Sequence, residues 1–429
     1  MAGKGEDSKD KLEREEYIKE GMKNNYGIYM IMSGMYIGYK WISILYISLY
    51  AFHIPLLLVT IYICKDDFTV VSEDGHFIIL LTLTFSTLLS HLFNREKIDN
   101  IFEAMGRKYY DYEETLDPGT LERISKIQDE STARKQWMKR VFYVGVGSAL
   151  VAVAVGRPIL QYYLSELVIN KELPAGVDGS KNTFIYYPWG VTNIYIRIFE
   201  YFLQDLFTLM TASSVLGIDL VFYNMGESIS EQLGTLGVSL RRLQHRAAHV
   251  ALKNDEIAKG RHAFIRSMHV CLKHSIKHHQ LIIKIFADFK AVFYVALLWL
   301  VMGATFLLCM AGVVFTSDVP VVSKGTFASI ITAELMHTYL LCWSGEQIAH
   351  LSANLPWDLY CNDWFGHSSE IMVYHRMLAM RCTQPLQLTA GGFTNINRNT
   401  FLEVVRTAFS YINLLQASNS RTARIDGKD

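Results

Sequence analysis

The sequence lacks most of the marks by which a chain declares its chemistry. Its six cysteines, Cys64, Cys271, Cys309, Cys342, Cys361 and Cys382, are scattered with no CxxC pair, which removes the usual zinc and disulfide frameworks. GxSxG, HExxH, the Walker A loop and the dinucleotide-binding glycine pattern are all missing, so nothing marks an enzyme and no cofactor is expected. No Asn-x-Ser/Thr triplet offers a glycosylation landmark. Net charge is also missing: Lys+Arg and Asp+Glu both number 41, and a dedicated nucleic-acid binder normally carries a basic excess. The first 27 residues mix both charge signs and hold no apolar run, which is not the pattern of a cleaved signal peptide.

What is present is apolar and blocky. Hydrophobic residues make up 51% of the chain, 13% are aromatic, and they gather in blocks of about twenty or more. Such blocks cross roughly 30 Å of hydrocarbon at about 1.5 Å per helical residue. The modest mean hydropathy of +0.17 then requires much polar helix outside the bilayer. Seven blocks qualify as spans: 28–64, 77–93, 141–164, 194–222, 286–315, 327–350 and 393–416. The first is over-long and broken at Lys40, so its membrane part is expected at 41–63, with the preceding aromatic stretch in the interface.

Orientation follows from where the basic residues fall. They crowd the amino-terminal segment (Lys4 to Lys23), the second connection (Arg95 to Lys139) and the fourth (Arg241 to Lys284). The intervening connections hold only Lys65, then Lys171 and Lys181, then Lys324. The expectation is an all-α polytopic membrane protein with seven spans, the amino terminus inside and the carboxy terminus outside. Its parts are a cytoplasmic segment 1–27, spans one to six within 28–349 with cytoplasmic helical loops 94–140 and 223–285, a cytoplasmic anchor 350–392, a last span 393–416 and an outer tail 417–429.

Two polar stretches read as helix. Residues 224–284 have few breakers and place Leu233, Leu236, Leu240 and Leu243 at helical spacing. Residues 350–390 hold Trp357, Tyr360, Trp364 and Phe365, then an amphipathic run to Met380; exposed aromatics there need a partner, from the same chain or another subunit.

The last span is oddly polar. Asn399, Glu403, Arg406, Ser410 and Asn413 recur at spacings of four and three, which puts all five on one stripe. A polar stripe in lipid is costly and should face protein or water. Two arrangements satisfy this: a pore lined by several copies of the helix, or a buried seam within one bundle with Glu403 and Arg406 paired. Leu414 lies near the outer end, where an apolar ring can close a narrow pore. The histidine run His262, His269, His274, His278 and His279 has no carboxylate or cysteine at a telling spacing and reads as a solvated basic surface. Asp205 and Asp219 in the fourth span and Glu334 in the sixth are intramembrane acids, functional candidates by type. Large apolar side chains on the fourth span (Phe199, Phe202, Leu206) and the sixth (Leu335, Met336, Tyr339) suit a pocket that binds by fit and dispersion; Phe85, Val151 and Ala154 would complete it from the second and third.

In the carboxy-terminal third, Cys342-Trp343-Ser344-Gly345-Glu346-Gln347, Trp357-Asp358-Leu359-Tyr360-Cys361-Asn362-Asp363-Trp364, the run from Gln384 to Phe393 and that from Asn397 to Tyr411 form an ordered set. In that set the chain resembles insect odorant receptors. The resemblance implies an odorant-gated, non-selective cation channel in the plasma membrane of a sensory-neuron dendrite. It implies a homotetramer, or a heterotetramer with a shared olfactory co-receptor, taking a small hydrophobic odorant. The co-receptor's long insertion in the second cytoplasmic loop is absent, so the chain reads as a ligand-tuned subunit. By the same likeness Leu414 matches the pore constriction and Asn413 the polar position beside it, with Ser410, Glu403 and Gln416 along the pathway; Trp357, Tyr360 and Trp364 match anchor interface positions. A gustatory-receptor-type channel shares this fold, but the ending Ser410-Tyr411-Ile412-Asn413-Leu414-Leu415-Gln416-Ala417 departs from its pattern. A non-channel seven-span receptor of the G-protein-coupled class would need the opposite orientation, and a transporter would show inverted repeats.

Overall fold

The computed structural model describes residues 3–23, 40–151, 177–178, 185–188, 193–253, 261–316, 321–362, 364 and 368–426. It is an all-α membrane protein. Its helices are α1 (Gly3–Lys23), α2 (Lys40–Ile63), α3 (Phe68–Phe93), α4 (Arg95–Gly106), α5 (Pro118–Val151), α6 (Ile194–Arg241), α7 (Leu243–Lys253), α8 (Arg261–Thr316), α9 (Val321–Tyr360), α10 (Ser369–Cys382) and α11 (Arg398–Asp426). Two small antiparallel hairpins accompany them: β1 (Val177–Asp178) with β2 (Ile185–Tyr186), and β3 (Thr389–Ala390) with β4 (Thr394–Asn395).

Seven of the helices have 24 residues or more, and each contains one of the expected spans or part of it. Four are long and apolar enough by themselves to cross a membrane: α2, α3, α6 and α8. Among the described residues α5, α9 and α11 fall short of that measure. Half of the expected third span lies outside the described residues, and α11 carries the polar stripe. Residues 28–39 also lie outside the described residues, so the break read at Lys40 falls at the edge of what is described.

The structure differs from the sequence reading in where the helices stop. α6 has 48 residues and α8 has 56, so α8 alone is roughly 84 Å long at about 1.5 Å per residue. Span and polar extension are one continuous rod, with no break between them. The extension of α6 is built for this: Leu233, Leu236 and Leu240 are buried, as is Leu243 at the start of α7, as their spacing predicts. α8 is the central post, touching α3, α4, α6, α7, α9, α10, α11 and β3.

Charge pairs knit the extensions. Arg134 and Lys135 of α5 meet Glu227 and Glu231 of α6 at 2.8 and 3.1 Å. Arg242 Nη2 reaches Asp117 Oδ2 at 2.8 Å, and Arg241 pairs with Asp358 of α9. Burial pushes the Asp117 carboxyl up, but the bonds from Thr120 and Arg242 outweigh it and hold it below the usual carboxylate range. Arg246 is fully buried with no carboxylate partner among the described residues: its N–H groups donate to Thr115 O, Thr115 Oγ1, Ser239 O and Ser275 Oγ within 3.3 Å, and its guanidinium stacks 4.7 Å from the Tyr112 ring.

The histidine run is a solvated face only at its start: His262 is exposed and His269 and His274 are half-buried. His278 and His279 are buried; His278 accepts or donates to Tyr112 Oη at 2.7 Å and to Gln232 Oε1 at 3.1 Å. α8 is covered on several sides here, so alternate turns that read as polar surface point into packing.

Candidate functional site

α11 starts at Arg398 rather than at 393. The preceding residues fold back as the β3–β4 hairpin, whose turn uses Gly391 at φ +56° and Gly392 at φ +80°, a region that favours glycine. Tyr294 of α8 donates to Gly391 O at 2.7 Å and seats the turn. The helix start is then capped by two side-chain oxygens. Asn397 Oδ1 accepts from Thr400 N at 2.9 Å, and Glu346 Oε2 of α9 accepts from Arg398 N at 2.9 Å, placing a carboxylate at the positive end of the helix.

From that fixed start the helix packs on one narrow face. Val404 and Ala408 are buried against Ala304 and Leu308 of α8, with Ile331 and Leu335 of α9 alongside. Gly312 of α8 leaves room for Ile412, whose side chain a Cβ at that position would strike. Phe401 meets Tyr339 edge to face, with ring centroids 5.4 Å apart. At 100° per residue the stripe Asn399, Glu403, Arg406, Ser410 and Asn413 lies on the opposite side of the helix, and all five residues are exposed. The buried-seam arrangement is therefore not what forms: among the described residues no ion pair joins Glu403 and Arg406 or ties either to the bundle. Leu414, on the flank of the stripe, is 64% exposed. Gln416 lies within α11, but its side chain is outside the described residues.

The expected pocket residues do not gather in one place. Phe85 of α3 and Leu206 of α6 are half-buried on the main core, and Leu335 is half-buried beside the last helix. Phe199 and Phe202 lie on the outward face of α6, and Met336 and Tyr339 are also exposed. Val151 ends α5 with its side chain outside the described residues, and Ala154 lies outside them altogether.

The bundle interior holds a polar cluster that sequence reasoning missed. His53 of α2 stacks on Phe207 of α6 at 4.0 Å and 9°. One turn away the Tyr50 hydroxyl faces Ser214, Thr84 and Thr211, and Tyr46 Oη shares a 3.1 Å hydrogen bond with Ser213 Oγ. Tyr50 Oη, His53 Nε2 and Thr211 Oγ1 are buried with no partner at bonding geometry. The available signal was Tyr46, Tyr50 and His53 at spacings of four and three inside an apolar span. Of the intramembrane acids, Asp205 is exposed, whereas Asp219 is buried with His337 Nε2 2.9 Å from its Oδ1.

Trp357, Tyr360 and Trp364 come together at the end of α9. Trp357 and Tyr360 stack at 5.5 Å, and Trp364 follows at 6.1 Å from Tyr360. Trp357 and Tyr360 stay 61% and 57% exposed, and Val373, Tyr374, Met377 and Met380 of α10 are exposed as well.

Comparison with known proteins agrees with this architecture. A family model described as 7tm odorant receptor matches residues 67–409. Odorant receptor 85f of Drosophila melanogaster is 25% identical over 30% of this chain and 33% of its own length. Odorant receptor 83a of the same organism is 26% identical over 34% and 33%, and odorant receptor 47a is 30% identical over 26% and 30%. The matched part thus spans about a third of these relatives. The structure of the insect olfactory receptor OR5 from Machilis hrabei in complex with eugenol superposes with a TM-score of 0.75 at 12% identity, covering 95% of this chain and 100% of that one. A second structure of that receptor gives 0.73 at 14%, over 95% and 99%. At these identities the superpositions speak to the fold.

Proposed function

The chain belongs to the odorant receptor family, whose members are multi-pass membrane proteins and not enzymes, and from that premise we propose that it is the ligand-tuned subunit of an odorant-gated cation channel. The observation that carries the proposal is the polar stripe of α11, set opposite the face by which the helix packs on its own bundle. Glu403 or Arg406 left in hydrocarbon costs about 2.5–3.5 kcal/mol each at midplane. Several copies of α11 around a common axis remove that cost, because the stripes then face water. Leu414 sits among them as an apolar constriction that closes by dewetting. Glu403 supplies the negative charge that favours cations, and Arg406 turns toward a neighbouring helix.

In this reading the amino terminus is cytoplasmic, the extensions of α6, α8 and α9 with α10 form a cytoplasmic anchor, and Trp357, Tyr360 and Trp364 contact another subunit. The subunits form a tetramer in the plasma membrane, either of this chain alone or with the shared co-receptor. The ligand is a small, mostly apolar molecule, a class consistent with the eugenol complex of the similarly folded receptor. It lodges where Phe85 and Leu206 border the core, with the Tyr50, Thr84 and Thr211 hydroxyls able to orient one polar group. Binding opens the pore only by its differential affinity for the open and closed states.

Whole-cell recording tests this, with the chain expressed alone and with the co-receptor. A ligand-evoked current is expected whose reversal potential shifts against cations in Glu403→Gln. Absence of current in both settings, with surface expression confirmed, would sink the channel proposal.

A further inference from the structure

Three helices bring ionisable side chains together inside the spanning part of the bundle. His337 of α9 has Nε2 2.9 Å from Asp219 Oδ1 of α6, and Nδ1 3.8 Å from Glu334 Oε1 one turn back on its own helix. The three side chains are only 13%, 6% and 12% exposed. His76 of α3 lies within electrostatic reach of Glu334. The Nε2–Oδ1 contact is at hydrogen-bond distance and the Nδ1–Oε1 contact is longer than a hydrogen bond, so His337 is tied directly to Asp219 and flanked by Glu334. The group is a clasp between α6 and α9, and ionisable groups in a span are kept at a cost.

Its position on α9 is what gives it consequence. The same two turns that carry His337 toward α6 carry Leu335 toward Val404 and Ala408 of α11, and Tyr339 toward Phe401. α9 is thus bonded to α6 by one face and bears the last helix on another. We infer that the Asp219–His337–Glu334 clasp sets the resting bias of the gate. It holds α9 in register against α6, so that any outward movement of α11 which draws α9 with it works against the clasp. The inference rests on the channel reading above.

A double-mutant cycle in the full-length receptor tests it. Asp219→Asn and His337→Asn are each expected to raise ligand-free current and to lower the half-activating ligand concentration by about tenfold, the scale of one charge-assisted bond. The double variant should do no more than either single one, because its two amides can still bond each other. Unchanged resting current and half-activation in the single variants, or effects that multiply in the double variant, would overturn the clasp. If a single variant fails to reach the surface, Glu334→Gln at the longer contact takes its place, with a smaller shift in the same direction expected and no shift counting against the inference. A wild-type receptor that is silent at the surface refutes the channel reading instead. The same cycle is then read as melting midpoints of the purified receptor in detergent, where additive shifts would overturn the clasp itself.

Discussion

Replacing Trp357 and Tyr360 together by alanine should dissociate the assembled receptor without unfolding the subunit. Both rings lie at the end of α9, stacked on each other and more than half exposed. Rings of this size carry about 200 Å² each, so roughly 240 Å² of aromatic surface awaits cover. At about 25 cal/mol per Å², covering it contributes up to roughly 6 kcal/mol to each contact. Alanine substitution of central interface aromatics typically costs about 2–4 kcal/mol, which sets the lower expectation. The predicted weakening is therefore roughly one and a half to four orders of magnitude in the association constant, by about tenfold per 1.4 kcal/mol. The residues that brace α9 internally, Asp358 to Arg241 and Asn362 to Leu240 O, are untouched, so the melting temperature of the subunit should hold. Mass photometry of the detergent-solubilised receptor over a dilution series reads the outcome. A double variant that keeps the wild-type mass down to the lowest concentration would refute the reasoning, as would a wild type that is already monomeric.

Three further outcomes follow from the same geometry. Leu414→Ser should raise ligand-free current, because a polar ring holds water where leucines exclude it; an unchanged leak at equal surface density would remove Leu414 as the constriction. Arg246→Met should lower stability by about 3 kcal/mol, since it strands the Thr115, Ser239 and Ser275 acceptors in a fully buried site, and a melting shift of less than a degree would contradict that. Asp117, with its folded carboxyl held below its ordinary range, contributes stability that is complete above that range and lost as pH falls through the folded value. Asp117→Asn should therefore flatten the acid limb of a stability profile, and an unaltered limb would show that the Arg242 contact carries no linkage.

How far the sequence could be read depended on whether a property was local or relational. The helices were legible because burial in hydrocarbon demands long apolar runs. Helical spacing was enough to place Leu233, Leu236, Leu240 and Leu243 in a core and to align the five polar positions of the last span. The start of that span was not legible from hydropathy, because Phe393 continues the apolar trend. A Gly391-Gly392 turn seated by Tyr294, 97 positions away in the chain, is a long-range fact.

Amphipathicity also misled wherever a surface was later covered. His278 and His279 look like solvent-facing neighbours of lysines, yet helices packed around α8 bury them. Phe199 and Phe202 look like pocket lining, yet α6 turns them outward. The sequence by itself determined that this is a membrane chain of long helices with a charged stripe on the last one, since those properties depend only on residue type and on a period of 3.6. Tertiary structure decided which way that stripe faces and which acids meet a histidine. The Val404–Ala408 seam turns the stripe away from its own bundle, and α6 and α9 bring Asp219 to His337 across 118 positions of chain. Neither relation has a periodic signature, because each is set by the packing of helices distant in the chain.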